Sequence, residues 1–452
     1  MDRFRPSLPA RLLSLVFVCA TLALSLELLR RAFPHYLPHD WAHAHAGDAL
    51  VDWKAAKLYV LGVSPYTRAG LDYTLMTHIG MGKPPTTMFW FLPMTDYSMA
   101  LAGELFSLLV WALLPLHVYF TLKALSWRAP VAMTALISSF VMSTSWLVYH
   151  FKVIQYSEPI AFLYVLAWLC LRRRKDVLAG LCLGVAGTIK LYPGVMILML
   201  LLARRWRAFF AASALYVAVA VIMTSVYGWE SWPAFFEQQK PIAQNWMGSA
   251  QNSSLSGLFT QLSYRTCLGS GPLDRHVTNA ASLVGLALVA GAVWCSRVHF
   301  RRALDTDGRA IDVPYAVFSL LSVFANPWVW EHYYVLMIQP MLVLMTAFYS
   351  IFCSAYRAWS DRIGSTRRFV AVAAVSLFAV LGFALVLVAL DREIWILFEY
   401  RDYWKATGDP IGHFQFHLLQ SLNFVPWIVL SVLGFIALPL SRRRGFTVST
   451  AR

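Results

Sequence analysis

Ten apolar stretches, each closed off by polar or basic residues, leave this chain of 452 residues little choice of solvent. They cover 12–33, 98–122, 131–149, 160–171, 209–226, 280–295, 314–324, 333–352, 369–390 and 418–440. Most approach the 17–25 or so apolar residues that a helix needs to cross a hydrocarbon core. Only 13% of residues are charged against 59% hydrophobic, about half the charged share of an ordinary soluble domain. The sequence predicts one all-α polytopic membrane domain over 1–452, of about ten spans.

The formal charge of +15 is distributed in a way that excludes nucleic acid as a partner, because no single domain carries it. Basic residues cluster at every second boundary: Arg3/Arg5/Arg11, Lys123/Arg128, Arg172 to Lys175, Arg204/Arg205/Arg207, Arg297 to Arg309, Arg357 to Arg368 and Arg442 to Arg444. The positive-inside rule then places both termini in the cytoplasm and turns 34–97, 150–159, 227–279, 325–332 and 391–417 outward. The first stretch has an Arg-rich start and no small-x-small cleavage site before Phe33, so it reads as a retained signal anchor. The expected location is a bacterial inner or plasma membrane. Cys267 is the one cysteine in an outer loop, which leaves no outer disulfide, and no CxxC spacing occurs. His43 and His45, two apart on an irregular loop, are weak ligands, and no metal or cofactor is expected.

One segment breaks the alternation. The clusters at 172–175 and 204–207 both belong to the cytoplasmic side, so 177–203 between them must turn back. Its first arm, 177–188, rises only about 18 Å as helix, short of a core of roughly 30 Å. The expectation is a short or re-entrant helical hairpin with Lys190 and Pro193 at its tip. Such a tip is tolerated at membrane depth where protein buries it or a wet cavity receives it.

In the first outer loop, 48–61 predicts one interfacial helix with Leu50, Leu58 and Leu61 on its apolar side. Asp48 stands near its start, where an acid meets the positive end of the helix dipole. Asp52, four residues on, shares that face. The positions that would neutralise Asp52 along the helix are Ala55 and Ala56, so helix stability does not account for the pair. A transporter or lipid flippase would also be basic and helical, but it concentrates ionisable residues near the midplane. Here they gather in the outer loops, Lys190 apart.

These loops carry a recognisable pattern. Asp48, Val51, Trp53, Ala55, Ala56, Gly62 and Pro65-Tyr66 resemble the first-loop pattern of the polyprenyl-phosphate-mannose-dependent mannosyltransferases, glycosyltransferase family 87. Pro84-Pro85 with Pro93 is similar to that family's Tyr-Pro-Pro segment, with Lys83 in place of the tyrosine. Lys190-Leu191-Tyr192-Pro193, running on to Arg204-Arg205-Trp206-Arg207, resembles its Lys-x-x-Pro segment. Asn252-Ser253-Ser254-Leu255 resembles its Asn-Gln-Ser-Leu loop. Asn326 to Tyr333 resembles its Ser-Pro-x-x-Trp-Glu-His-His stretch, with tyrosine for the second histidine. Ile154-Gln155 stands where the family tends to have Gly-Gln.

The resemblance implies a GT-C architecture, with the active site at the outer face and a catalytic aspartate in the first outer loop. It implies transfer of a hexose, mannose in the family, from a polyprenyl-phosphate-linked donor to a lipid or glycan acceptor. A related GT-C transferase acting on lipopolysaccharide or protein is the other reading of the same architecture. A polyprenyl phosphate is already a good leaving group, so the protein must chiefly activate an acceptor hydroxyl and steady the departing phosphate. That phosphate carries fewer charges than a nucleotide diphosphate, and no DxD pair lies in the outer loops, so a metal-independent reaction is expected. Asp48 is assigned as base, with Asp52 as the other catalytic carboxylate. Lys190 and His332 are assigned to the donor phosphate, and Glu331, Trp330, Tyr66 and Asn252 to sugar or acceptor.

Overall fold

A computed structural model describes residues 48–74, 81–127, 129–142, 154–246, 275–305, 308–324 and 331–360, with shorter pieces and isolated positions between and beyond them, among them His150, Asn252 and Val329. The expected span 369–390 lies outside the described residues, as do most of 12–33 and 418–440, the loop 391–417, and Trp330.

Among the described residues the structure is helical and contains no strand. The helices are α1 (Asp48–Val60), α2 (Arg68–Thr74), α3 (Pro85–Met88), α4 (Met99–Ala124), α5 (Pro130–Met142), α6 (Ser157–Arg172), α7 (Asp176–Ile189), α8 (Gly194–Leu202), α9 (Trp206–Tyr227), α10 (Ser231–Trp246), α11 (Arg275–Asp305), α12 (Asp312–Phe324) and α13 (Ile338–Ser360). Among the described residues, four stretches are long and apolar enough to cross a membrane: Met99–Ala124, Trp206–Tyr227, Ser282–Leu304 and Tyr333–Ser350. The turning segment is present as α7 and α8, and Lys190 to Pro193 joins them.

The bundle has two unlike ends. At one, α4, α6 and α8 stop in the same way. Ser126, Arg174 and Arg204 take positive φ of 60°, 57° and 55°, and the next amide reaches back five residues: Trp127 to Leu122, Lys175 to Cys170, Arg205 to Leu200. This is a Schellman-type stop, which caps the last carbonyls and reverses the chain at once. Gly308 settles on the same end, where an added Cβ would stand 2.1 Å from the Arg172 carbonyl oxygen.

Buried ion pairs hold this end together. The Arg172 guanidinium meets Asp312 at 3.2 Å and donates to the Ala124 carbonyl at 2.7 Å. Asp312 also accepts from the Trp168 indole at 2.8 Å. Arg205 pairs with Asp176 at 3.3 Å and donates to the Ala303 carbonyl at 2.8 Å. Basic clusters that the sequence assigned to one side thus meet at one end.

Between the ends, α7 lies against α9 through small residues. A Cβ on Gly180 would come 2.1 Å from the Ala208 carbonyl oxygen, and one on Gly184 would come 2.9 Å from that of Ala212. Glycine facing alanine at four-residue spacing lets two helices approach to backbone contact, the packing favoured where lipid gives no hydrophobic drive. The hairpin tip is thereby fixed against the bundle.

One expectation needs correcting. Helix α1 is not an interfacial helix with one apolar face: Leu50 and Leu58 are buried, but so are Asp52, Ala55 and Ala56, while Leu61 is largely exposed. The 3-10 turn Phe89–Met94, α3 and α4 cover it, and the Trp53 indole donates to the Met94 carbonyl at 2.8 Å. The outer segment 227–279 contains helix α10 near its start.

Candidate active site

The opposite end is built on the start of α1. The first amides of a helix have no partner inside it, and here the Ala49 N–H is taken by the Ile154 carbonyl at 3.0 Å. To reach that position Ile154 adopts φ of +48°, costly for a β-branched residue by about 1–3 kcal/mol. The family pattern has glycine there, for which this conformation is free of strain. The strained turn delivers Gln155 and Tyr156 to the two aspartates.

Asp48 Oδ2 accepts from the Lys83 ammonium at 3.0 Å and from the Gln155 amide. Lys83 donates also to the Tyr156 hydroxyl at 2.9 Å, and that hydroxyl donates to Asp52 Oδ2. From the hairpin tip Lys190 donates to Gln155 Oε1 at 3.1 Å and to the Tyr333 hydroxyl at 2.9 Å. Both ammonium groups lie over the Tyr156 ring, at 4.8 Å and 5.0 Å from its centre, a placement that adds cation–π attraction. Four ionisable side chains from three parts of the sequence therefore share one network.

Each member is supported from behind. The Tyr66 hydroxyl donates to the Lys83 carbonyl at 2.7 Å, so Tyr66, expected to touch sugar, holds the backbone of the lysine loop. Thr87 donates to the Ile189 carbonyl at 2.8 Å and Trp90 to Thr188 at 2.9 Å, fixing the hairpin tip to the segment after Lys83. The Tyr227 hydroxyl donates to the Ala55 carbonyl at 3.0 Å. On the first turn of α6, Glu158 pairs with His117 of α4 at 3.0 Å, with both side chains fully buried.

The two carboxylates are unlike. Burial alone would raise Asp48, but Lys83 and Lys190 beside it, with hydrogen bonds from Gln155 and Lys83, outweigh burial and hold it below its ordinary 3.8. Asp48 keeps 40% of its side-chain surface open, so an ionised carboxylate faces the solvent side. At Asp52 burial dominates, with Lys83 pulling down and Asp48 pushing up, and it titrates at about 7. Its Oδ1 is buried without a hydrogen-bond partner among the described residues, which a proton on the acid makes less costly. Burial would lower Lys83, yet Asp48 and Asp52 hold its ammonium above the usual range.

Other assigned residues fall around this network. Glu331 and His332 belong to the 3-10 turn Glu331–Met337, whose next residue, Tyr333, bonds Lys190; their side chains lie outside the description. Asn252 is buried, and its Oδ1 accepts from the Ser254 amide at 3.1 Å and the Val329 amide at 3.0 Å. It ties Ser254 to Val329, just ahead of Glu331, which commits that oxygen to backbone. Sequence reasoning missed Gln155, Tyr156 and the positive role of Lys83. The available signal lay in the departures from one pattern: Lys83 and Tyr333 join the network through Tyr156 and Lys190, and Ile154 precedes its Gln155, while the fourth departure, Ser253, lies outside the described residues.

No curated protein matches the chain. The model of glycosyltransferase family 87 matches residues 83–327, over half of the chain, running from Lys83 through Gln155, Tyr156 and Lys190. An apolar helical bundle, a lysine- and carboxylate-lined end and that match lead to one assignment: the chain belongs to glycosyltransferase family 87.

Proposed function

We propose that this glycosyltransferase moves a hexose, mannose by its resemblance, from a polyprenyl-phosphate carrier to a lipid or glycan acceptor at the outer face of a bacterial inner membrane. The observation that carries the reading is the half-open Asp48 carboxylate set beside two lysines at one end of an apolar bundle. An acceptor hydroxyl gives its proton to Asp48 as its oxygen bonds to the anomeric carbon. The bond from that carbon to the donor phosphate breaks, and its electron pair leaves with polyprenyl phosphate. Lys190 receives the growing negative charge, and His332, one residue before Tyr333, is assigned to the same phosphate. A single displacement on a β-linked donor gives an α-linked product.

The resemblance to GT-C enzymes supports the outward orientation, as does the meeting of the basic turns at the far end of the bundle. The test is to incubate purified protein with a panel of polyprenyl-phosphate sugars and an extract of envelope lipids and glycans. Release of polyprenyl phosphate with a new α-glycoside, lost in Asp48→Asn, is expected. Sugar release only from nucleotide donors would overturn the reading. For orientation, a cysteine placed at Ser253 should react with an impermeant thiol reagent from outside and one at Ser441 should not.

A further inference from the structure

We propose that Lys83 is a second, mobile donor-binding cation: in the empty site it masks Asp48, and on donor binding it passes to the phosphate and frees the carboxylate to act as base. The inference rests on the donor reading above and adds to it an order, donor before acceptor activation.

The geometry gives Lys83 both positions. Its carbonyl is held by the Tyr66 hydroxyl, and the next residue, Pro84, is extended at φ −67° and ψ 155° and leads into α3. The movement proposed is that of the four-carbon side chain alone, 16% of whose surface is exposed. An ammonium has three donor hydrogens; Asp48 and Tyr156 account for two of them. Tyr156 is the common floor, since Lys190 lies over the same ring. A phosphate that reaches Lys190 therefore arrives beside Lys83, where it meets a donor before the Asp48 bond has to break.

Charge and basicity favour the exchange. The groups around Asp48 are Asp52 on its own helix, Lys83 and Tyr66 from the following loop, Gln155 and Tyr156 from the turn before α6, Lys190 at the hairpin tip and Tyr333 beside it. Two lysine side chains share one ionised carboxylate, Asp48, while buried Asp52 titrates at about 7. Burial and the neighbouring Lys83 pull Lys190 down, so the negative charge of an arriving phosphodiester favours the ammonium form of Lys190 as well as drawing Lys83 toward it. An Asp48 oxygen occupied by both an ammonium and an amide is a poor proton acceptor. Removing the ammonium restores its basicity at the moment the donor is seated. When the carbon–oxygen bond breaks, the phosphate gains a second charge and holds both lysines; its departure returns Lys83 to Asp48.

The experiment uses full-length protein in lipid nanodiscs, with polyprenyl phosphate as the binding probe and polyprenyl-phosphate mannose for turnover. Lys83→Met should weaken polyprenyl phosphate binding about tenfold, the effect of one charge-assisted hydrogen bond, and Lys83→Arg should restore part of it. The acid limb of kcat/KM should move to higher pH in Lys83→Met, because Asp48 loses the cation that lowers it. Asp48→Asn should bind polyprenyl phosphate several-fold more tightly, since Lys83 is no longer held, and that gain should vanish in Asp48→Asn/Lys83→Met. The double variant leaves no unpaired carboxylate at this pair, so it answers the question even where the single variant fails to fold. Unchanged binding in Lys83→Met, or a gain that persists without Lys83, would overturn the exchange. Wild-type protein that neither binds polyprenyl phosphate nor consumes any polyprenyl-phosphate sugar would instead overturn the donor reading beneath it.

Discussion

Helix α6 joins two buried charged clusters that are built on opposite principles. At its arginine end, Arg172 and Arg205 each bond a carboxylate and also a backbone carbonyl on another helix, Ala124 or Ala303. At its lysine end, Lys83 and Lys190 bond side chains alone: Asp48, Tyr156, Gln155 and Tyr333. A guanidinium offers five donors in a fixed fork and suits permanent stapling, whereas an ammonium is a point charge on a flexible stem. The carboxylates differ to match, Asp312 being 4% exposed and Asp48 40%. A cation held by main chain fastens helices; one held by side chains can be transferred to a ligand.

The comparison breaks most readily at Asp48. Asp48→Asn keeps size and hydrogen-bonding shape but removes the proton acceptor, so turnover should fall by on the order of 10²–10⁴ while the protein stays folded. Single-turnover assays with a fluorescent polyprenyl-phosphate sugar would read this, and near-normal turnover would move the base to Asp52. At the other end, Arg172→Ala leaves Asp312 buried without its cation and should cost about 3–5 kcal/mol of stability. Denaturant titration in detergent is the measurement, and donor affinity of the folded fraction should be unchanged. If Arg172→Ala instead alters donor affinity and leaves stability alone, the two ends do not divide their labour.

A smaller effect is expected at the seam. Gly180→Ala forces a methyl group against the Ala208 carbonyl and should cost about 1–3 kcal/mol as overpacking. Because α7 carries Lys190, the same change should also weaken polyprenyl phosphate binding. The smallest effect belongs to Asp52, and it is a slope. Between its unfolded value of 3.8 and its folded value of about 7, the folded protein holds a proton that the unfolded chain releases. Stability should therefore fall as pH rises through that window and level off above it. Asp52→Asn should flatten the slope and cost less activity than Asp48→Asn.

Much of the arginine end was legible in the sequence, because charge placement and helix length are local properties. The basic clusters at 172–175 and 204–207 were enough to require a turn between them, and α7, Lys190 and α8 follow that expectation closely. The pairing of Asp48 and Asp52 on one side of a helix was equally visible, since both meet the Lys83 and Tyr156 network. What could not be read was convergence over long separations. Tyr156 meets Asp52 across 104 positions and Lys190 meets Tyr333 across 143, and no periodicity in the sequence encodes either contact. Burial of α1 was hidden for a similar reason: its covering turn, Phe89–Met94, carries no regular pattern. The His117–Glu158 pair left one trace, an ionisable residue within an apolar stretch, which in a membrane points to a buried partner.

The shortness of α7 has a consequence for how a substrate arrives. Fourteen residues rise about 21 Å, roughly 9 Å less than a hydrocarbon core, and the seam with α9 prevents the helix from sliding to make up the difference. On the proposed reading, a carrier lipid entering from the outer leaflet brings its headgroup below the plane of its neighbours to reach Lys190. Water and smaller soluble phosphates gain nothing from that descent, whereas a long isoprenoid stays in hydrocarbon throughout. On the proposed reading, depth itself selects the donor: a ruler measured in helical turns admits a phosphate only when a lipid tail comes with it.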